Sequence, residues 1–314
     1  MQVPATSAKT STFRIATPDG VEVFVYRWLP AGNPQAVVQI AHGLAEHAGR
    51  YSRLAGALTR AGYAVYASDH RGHGHTAPSP EELGFFAARD GWNKCVEDLH
   101  LVNRRIAAEH PGTRSVLLGH SMGSSLALSF LCKYGDAVCG AVLSGASGQP
   151  GLLAHAGRWI TRLEKLRLGA QGRSSLVQKL TFNEFNKRFA PARTGFDWLS
   201  RDPAEVDKYV ADPLCGFPSS VQLWIDLLSG WVKAVSSSCK LIPKTLPILV
   251  ISGRHDPVSA GCRQIEAMLK TWSRAGFKNV EHKFYSQARH EMFNETNREE
   301  VTNDLLEWLH KVTA

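Results

Sequence analysis

Short apolar runs alternate with longer amphipathic segments along most of this chain. The runs have the length of strands that are buried on both faces, and they lie at residues 36–41, 63–68, 115–118, 138–143 and 246–253. Helical segments are predicted between them, for example at residues 95–109. This alternation predicts a mostly parallel sheet flanked by helices, because parallel neighbours need a crossover connection.

Patterns near the two ends of the chain complete the predicted sheet. Residues 13–16 and 21–26 form a predicted β-hairpin that turns at residues 18–20, which are Pro-Asp-Gly. Residues 280–285 have the alternating character of a last strand. We therefore expect an α/β fold with a mostly parallel sheet of eight strands.

The regular alternation stops after the sixth predicted strand, near Gly148, and resumes near Leu246. The residues between these points are basic, rich in aromatic side chains and mostly helical in pattern. We predict that residues 148–239 form a helical cap, inserted into a core domain of residues 1–147 and 240–314.

The first predicted cap helix carries an apolar stripe, with its basic residues mostly elsewhere. The stripe consists of Leu152, Ala156, Trp159, Leu163 and Leu166. Such a stripe more often packs a helix onto its own domain than it touches a membrane, so we expect packing within the cap, with membrane contact as the alternative. Cap aromatics such as Trp159, Phe182 and Trp224 either belong to the cap core or line a pocket for an acyl chain.

One serine has the sequence context of a catalytic nucleophile. The motif Gly119-His120-Ser121-Met122-Gly123 lies between a predicted strand and a helix of small residues. Glycines two residues away on each side allow a tight strand-to-helix turn that exposes the serine Oγ. The backbone N–H of Met122, at the helix N-terminus, can stabilise an oxyanion.

A serine nucleophile on such a turn is followed along the chain by an acid and then by a histidine. Asp256 comes just after the seventh predicted strand, and His290 lies in the loop after the eighth. We therefore predict Asp256 as the acid and His290 as the base. The rival His282 lies within the eighth predicted strand and not in the loop beyond it.

The loop after the third predicted strand is the expected source of a second oxyanion donor. Gly43 permits an unusual turn there, which can direct the backbone N–H of Leu44 towards Ser121; an ordinary turn is the alternative. We expect Glu46-His47 and Arg50-Tyr51 to brace this loop through hydrogen bonds.

Five segments together resemble the α/β-hydrolases of the monoacylglycerol lipase, lysophospholipase and serine aminopeptidase-like group. They are HGLAEH at 42–47 with Arg50-Tyr51, DHRGHG at 69–74, GHSMG at 119–123, GRHD at 253–256 and ARHE at 288–291. The resemblance implies an α/β-hydrolase fold, a cap over the catalytic face and ester hydrolysis without a cofactor. It also implies Ser121, Asp256 and His290 as the triad and the N–H groups of Leu44 and Met122 as oxyanion donors.

Two positions depart from the pattern of monoacylglycerol lipases by replacing a glycine. Ala45 and Ser124 are both small, so we expect the architecture to be preserved. His75-Thr76 also departs from the usual small residue and serine. These departures leave the substrate within the group open.

We predict a serine carboxylic ester hydrolase that acts on an apolar acyl ester or lipid through an acyl-enzyme. Aminopeptidase, amidase and acyltransferase activities use the same triad and remain alternatives, as does a slow ligand-sensing protein on this fold. Dehalogenase and epoxide hydrolase chemistry is disfavoured, because it needs an aspartate where Ser121 stands.

Composition bears mainly on partners and location. The formal net charge of +8 favours transient contact with an anionic membrane surface, while no motif for nucleic acid is present. No run approaches the ~18 apolar residues of a membrane span. Residues 1–9 lack the apolar core of a secretory signal, and the six cysteines are irregularly spaced, so we expect a cytoplasmic protein.

The segment Asp69-His70-Arg71-Gly72-His73 offers side chains that commonly bind metals. Its order does not match the ligand pattern of binuclear zinc hydrolases, and it follows a predicted strand as a structural turn would. We therefore predict no metal site, and the resemblance to the hydrolase group implies no cofactor.

Overall fold

A computed structural model describes residues 9–314; residues 1–8 lie outside the described part of the chain, and with them most of the segment on which the prediction of no secretory signal rests. Within residues 9–314, eight strands form one sheet in the order β1-β2-β4-β3-β5-β6-β7-β8. The strands are β1 (Lys9–Ala16), β2 (Glu22–Leu29), β3 (Ala36–Ala41), β4 (Tyr63–Ser68), β5 (Ser115–His120), β6 (Gly140–Ser144), β7 (Ile248–Gly253) and β8 (Val280–Tyr285).

Ten α-helices accompany the sheet within the same described residues. They are α1 (Ser52–Arg60), α2 (Gly91–Glu109), α3 (Met122–Tyr134), α4 (Leu152–Leu168), α5 (Ser175–Gln178), α6 (Glu184–Lys187), α7 (Pro203–Ala211), α8 (Val221–Leu241), α9 (Arg263–Arg274) and α10 (Arg298–Thr313). A π-helical turn at Lys179–Asn183 joins α5 to α6. Each of these helices is too short or too polar to cross a bilayer.

The pairing of the strands confirms the predicted α/β fold. β1 and β2 form the predicted antiparallel hairpin, and β2 pairs antiparallel with β4. From β4 to β8 every neighbouring pair is parallel. The central strands are buried along their whole length, which explains why their sequences are apolar runs without alternation.

Helices cover both faces of the sheet and bury two apolar layers. Leu99 of α2, Leu126 of α3 and Trp272 of α9 lie in the layer on one face. Leu58 of α1 and Leu305 of α10 lie in the layer on the other. Each large side chain of this kind contributes roughly 1.5–3 kcal/mol when it is buried. These layers hold the carboxyl ends of the parallel strands in fixed positions at one edge of the sheet.

Helices α4 to α8 are inserted between β6 and β7, where the sequence predicts the cap. Helix α8 packs along both α3 and α4, and its residues Leu223, Ala234 and Val235 join the apolar layer of the core. This helix therefore contacts the core and the remainder of the insertion. The division of the chain at residues 148 and 240 stays a prediction.

The apolar stripe of α4 faces outward, so the prediction that it packs within the cap is wrong. Leu152, Trp159 and Leu163 are 89%, 66% and 64% exposed. The buried face of the helix carries Ala154 together with the polar residues Thr161 and Glu164. Thr161 donates to the backbone of its own helix, and the Glu164 carboxylate accepts hydrogen bonds from two cap side chains. These bonds satisfy the two polar groups on the inward face.

Candidate active site

Ser121 sits on a sharp turn between β5 and α3. Its φ of 53° and ψ of −118° lie in a region that non-glycine residues rarely adopt. The Ser121 N–H donates to the carbonyl oxygen of Ser144 on the neighbouring strand β6, at 2.9 Å. The surrounding sheet thus holds a strained residue at its carboxyl edge.

The glycines of this turn, residues 119–123 or the elbow, are required by close backbone contacts. A Cβ on Gly119 would lie 2.3 Å from the carbonyl oxygen of Gly123. A Cβ on Gly123 would lie 2.0 Å from the carbonyl oxygen of Ala41, at the end of β3. Neither position has room for a side chain, which is the steric requirement that the motif predicts.

His290 and Asp256 form a buried pair. His290 Nδ1 lies 2.9 Å from Asp256 Oδ2, and the side chains are 2% and 0% exposed. The other Asp256 oxygen accepts a hydrogen bond from the N–H of Val258 at 2.9 Å. Burial disfavours the charged imidazole, but the charge of Asp256 and the hydrogen bond to it outweigh this effect and raise the pKa of His290 above its ordinary 6.5.

His290 lies next to the elbow. Its ring centroid is 4.8 Å from that of His120, the residue that precedes Ser121. Gly145, with a φ of +55°, fits between them: a Cβ there would lie 3.1 Å from His120 Cε1 and 3.2 Å from His290 Cε1. The structure therefore brings together the three residues that the sequence predicts as nucleophile, base and acid.

Residues 42–47, here named the oxyanion loop after their predicted role, pass directly beside Ser121. A Cβ on Gly43 would lie 3.3 Å from Ser121 Cβ, so the peptide between Gly43 and Leu44 is close to the serine. The Gly43 N–H donates to Glu46 Oε1 at 2.6 Å, and Tyr51 Oη–H donates to the same oxygen at 2.9 Å. These bonds confirm that Glu46 and Tyr51 brace the loop.

Arg50 connects the oxyanion loop to the loop of His290. Its Nη1 donates to Glu46 Oε2 at 2.5 Å, and Nη1 and Nη2 donate to the two oxygens of Glu291 at 2.7 and 2.8 Å. Burial alone would raise the pKa of Glu291, but the charge and hydrogen bonds of Arg50 lower it. Sequence reasoning missed Glu291 as a partner, and its position next to His290 was the one available signal.

The other predicted positions lie in different environments. Phe182 and Trp224 belong to a buried aromatic cluster of the cap, whereas Trp159 lies on the exposed face of α4. His282 is exposed on strand β8, at the edge of the sheet. Sequence reasoning did not single out Trp198 from the other cap aromatics, yet its ring centroid lies 4.9 Å from that of His290.

The Asp69 segment forms a structural turn. The Asp69 carboxylate accepts hydrogen bonds from the N–H groups of Ala48 and His75, both at 2.7 Å. Burial lowers the pKa of His70 to about 3 and that of His73 to about 4. Both imidazoles are therefore neutral near pH 7 and serve as hydrogen-bonding core side chains.

The raised pKa of His290 gives a prediction for the pH–rate profile if this residue is the base. A base must be neutral to accept a proton, so kcat/KM would be full above the pKa of His290 and would fall as the pH drops through it. We expect the midpoint of this acid limb above pH 6.5, measured as kcat/KM for a soluble ester. In Asp256→Asn, the midpoint of the acid limb of the remaining activity should be lower than in the wild type. A wild-type midpoint below pH 6.5 would contradict the role predicted for Asp256.

The chain is similar to known proteins over most of its length. A sequence model of the family described as "Serine aminopeptidase, S33" matches residues 32–297. The chain is 31% identical to the monoacylglycerol lipase of Mycolicibacterium smegmatis over 313 residues, which cover 96% of this chain and 98% of that protein. It is 29% identical to the monoglyceride lipase of Homo sapiens over 295 residues, 89% of this chain and 86% of that protein.

A solved structure shows the same fold over nearly the whole chain. The carboxyl esterase of Bacillus coagulans matches with a TM-score of 0.89 at 24% identity, and the match covers 97% of this chain and 99% of that one. The eight-stranded sheet with its flanking helices is thus the α/β-hydrolase fold.

Proposed function

We propose that Ser121, Asp256 and His290 are the catalytic triad of this chain, which belongs to the serine aminopeptidase S33 family of α/β-hydrolases. The chain is a serine carboxylic ester hydrolase, as its similarity to monoacylglycerol lipases and to a carboxyl esterase supports. The observation that carries the triad is the buried His290–Asp256 pair beside the strained turn of Ser121.

The reaction proceeds through two acyl transfers. His290 accepts the proton of Ser121 as Oγ attacks the ester carbonyl, and Asp256 orients the ring and stabilises the imidazolium. The tetrahedral intermediate collapses, and the alcohol leaves with the proton of His290. The neutral His290 then takes a proton from water, which attacks the acyl-serine; the second intermediate releases the acid and restores Ser121.

The backbone N–H groups of Leu44 and Met122 stabilise the oxyanion of both intermediates. Met122 is the first residue of α3, where the helix dipole favours negative charge, and Leu44 lies on the braced oxyanion loop. Loss of one donor of such a pair typically costs about 2.7–4 kcal/mol of transition-state stabilisation.

The substrate is an ester with an apolar acyl chain, and a monoacylglycerol is the candidate that the relatives suggest. Aromatic side chains of the cap form a buried cluster that reaches His290 through Trp198 and packs against Leu44. We propose that residues 148–239 act as the cap and that Phe182 and Trp224 contact the acyl chain when the cap opens. Burial of an apolar acyl chain in this cluster is favourable, because it removes apolar surface from water.

A series of p-nitrophenyl esters from acetate to palmitate tests the substrate class. Each added methylene that is buried contributes about 0.8 kcal/mol, so kcat/KM should rise with chain length to a maximum at medium or long chains. Phe182→Ala should lower this dependence while the acetate is still hydrolysed. A maximum at acetate would contradict the proposed acyl site, and hydrolysis of amides alone would favour the aminopeptidase alternative.

The outward stripe of α4 supports contact of the cap with anionic membranes. Leu152 and Leu166 are 89% and 87% exposed, and the guanidinium of Arg162 lies over the exposed ring of Trp159 at 5.4 Å. Apolar and basic side chains on one exposed helix are typical of binding at the surface of an anionic bilayer.

Cosedimentation with vesicles tests this contact. We expect the protein to bind vesicles that contain phosphatidylglycerol and to bind pure phosphatidylcholine vesicles several-fold less. The double variant Trp159→Ser/Leu163→Ser should lose most of the binding while turnover of a soluble ester stays within about twofold of the wild type. Leu241→Ser, at an exposed position on α8, is the matched control; equal losses in both variants would contradict a role for α4.

The cytoplasm is the location that the thiols favour. All six cysteines, which lie within the described residues, are free of disulfides. Free thiols are typical of reducing compartments. Fractionation of source cells checks this, and recovery of the protein outside the cytoplasm would contradict it.

A further inference from the structure

Residues 197–200 of the insertion, here the cap strap, lie against the loop that carries the catalytic histidine. The backbone N–H groups of His290 and Glu291 both donate to the carbonyl oxygen of Leu199, at 3.1 and 2.8 Å. One carbonyl of the strap thus accepts hydrogen bonds from the base and from its neighbour. The strap cannot move away without breaking both bonds.

Arg289 provides the side-chain part of the same contact. Its Nη1 donates to the carbonyl oxygens of Asp197 and Ser200, the latter at 3.1 Å. These two carbonyls belong to the first and last residues of the strap. One guanidinium nitrogen therefore connects both ends of the strap to the histidine loop. A guanidinium is suited to this task because it presents several N–H donors from a rigid plane.

Arg289 is itself fixed on two sides. Its backbone N–H donates to Oε1 of the fully buried Glu295 at 2.7 Å. Its guanidinium lies over the ring of Phe189 at 4.2 Å from the centroid, which places the side chain under the cap. A side chain held in this way acts as a rigid spacer between loop and strap.

The strap carries the aromatic side chain that covers the base. Trp198 is 4% exposed, and its ring lies 4.9 Å from that of His290 and 5.9 Å from that of Phe182. The backbone N–H of Trp198 donates to Asn186 Oδ1 at 3.2 Å. The position of this indole over the imidazole therefore depends on where the strap is held.

We propose that Arg289 is a positioning residue that fixes the cap strap to the catalytic loop, so that Trp198 stays over His290 and the imidazole stays aligned with Ser121. The inference rests on the proposed function, because it requires His290 to be the base. It implies that the strap remains with the core when other parts of the cap open. A misplacement of about 1 Å at a reacting group can cost on the order of 100-fold in rate, which is the scale of effect at stake.

The variants Arg289→Met and Arg289→Lys test the proposal on a soluble short-chain ester. Methionine removes the donors but keeps an unbranched side chain, and we expect kcat to fall by about 10- to 100-fold with KM changed less than about threefold. Lysine retains a donor that can reach a carbonyl. We therefore expect the log kcat of Arg289→Lys to lie at least halfway from the value of Arg289→Met to that of the wild type. Displacement of the strap in Arg289→Met also admits water to His290. Because burial lowers the pKa of His290, access of water should raise this pKa, and the acid limb of kcat/KM should move to higher pH.

Arg298→Met is the matched control. Arg298 also joins the insertion to the core, through Asp202 at 2.7 Å, but it touches neither the strap nor the histidine loop 289–291. We expect Arg298→Met to lose about as much thermal stability as Arg289→Met does. Its kcat should stay within about twofold of the wild-type value, and its acid limb should be unchanged. If Arg289→Met lowers only thermal stability and leaves both kcat and the acid limb unchanged, the positioning role is refuted.

Labelling with a fluorophosphonate separates this inference from the proposed function. If Ser121 of the wild type is neither labelled nor needed for turnover, the proposed function is wrong. If the wild type is labelled and Arg289→Met is labelled at the same rate, the function stands and the positioning role alone is wrong. Slower labelling of Arg289→Met, partly restored in Arg289→Lys, supports the proposal.

Discussion

Replacement of Ser121 with alanine is expected to lower ester turnover by about 10⁴- to 10⁶-fold. Without Oγ no acyl-enzyme forms, and the remaining rate comes from the oxyanion donors and from substrate binding alone. Purified Ser121→Ala should show this loss in steady-state hydrolysis of the preferred p-nitrophenyl ester. It should also lose all labelling by a fluorophosphonate.

The fold of Ser121→Ala should be intact, which makes the result interpretable. Alanine, like serine, has a Cβ, so the backbone at the elbow carries the same strain in both proteins. We expect a denaturation midpoint close to that of the wild type. Ser236→Ala, on the exposed face of α8, is the matched control and should retain full activity. Wild-type turnover in Ser121→Ala would overturn the nucleophile assignment.

Replacement of Gly123 with alanine is expected to damage both stability and catalysis. The added Cβ would lie 2.0 Å from the carbonyl oxygen of Ala41 and 2.5 Å from that of His42, and both are backbone atoms that cannot rotate away. Overpacking of this kind costs about 1–3 kcal/mol of the free energy of unfolding, and the shift of the elbow should cost at least ~100-fold in kcat. Chemical denaturation and steady-state kinetics measure the two effects.

Gly56→Ala is the control for this second variant. Gly56 lies within α1, and the nearest atom to a Cβ there is the flexible end of Arg60 at 3.5 Å. Alanine is the better helix former, so we expect a gain of about 0.5–1 kcal/mol and unchanged turnover. A Gly123→Ala variant as stable and as active as Gly56→Ala would show that the elbow can shift freely.

Local pattern was sufficient to predict most of the sheet. Strands β3, β4 and β8 begin and end at the residues predicted. The apolar runs of β3 and β4 and the alternating residues of β8 mark these strands without reference to the rest of the chain. The elbow was equally predictable, since the steric demands of its turn are met by residues 119–123 alone. The places of Asp256 and His290 after β7 and β8 likewise predicted that the two side chains would meet, as they do in the structure.

Contacts between distant segments could not be predicted in the same way. The outward stripe of α4 is visible as periodicity, but periodicity does not tell which face of a helix its domain will cover. Arg50 and Glu291 are 241 residues apart, and nothing local to either one identifies its partner. The cap strap likewise depends on backbone carbonyls, which have no sequence signal. Sequence thus predicts the strands and turns that carry this site better than the contacts between its loops.

The proposed acid and base follow the insertion in chain order, and this has a consequence for synthesis. When the elbow and the whole cap have left the ribosome, Asp256 and His290 are still inside the exit tunnel or not yet translated. A nascent chain that stops before His290 therefore presents the proposed nucleophile without its base, and we expect it not to hydrolyse esters. Under this assignment, catalytic competence is acquired only after β8 and the loop beyond it have been translated and β8 has joined the edge of the sheet.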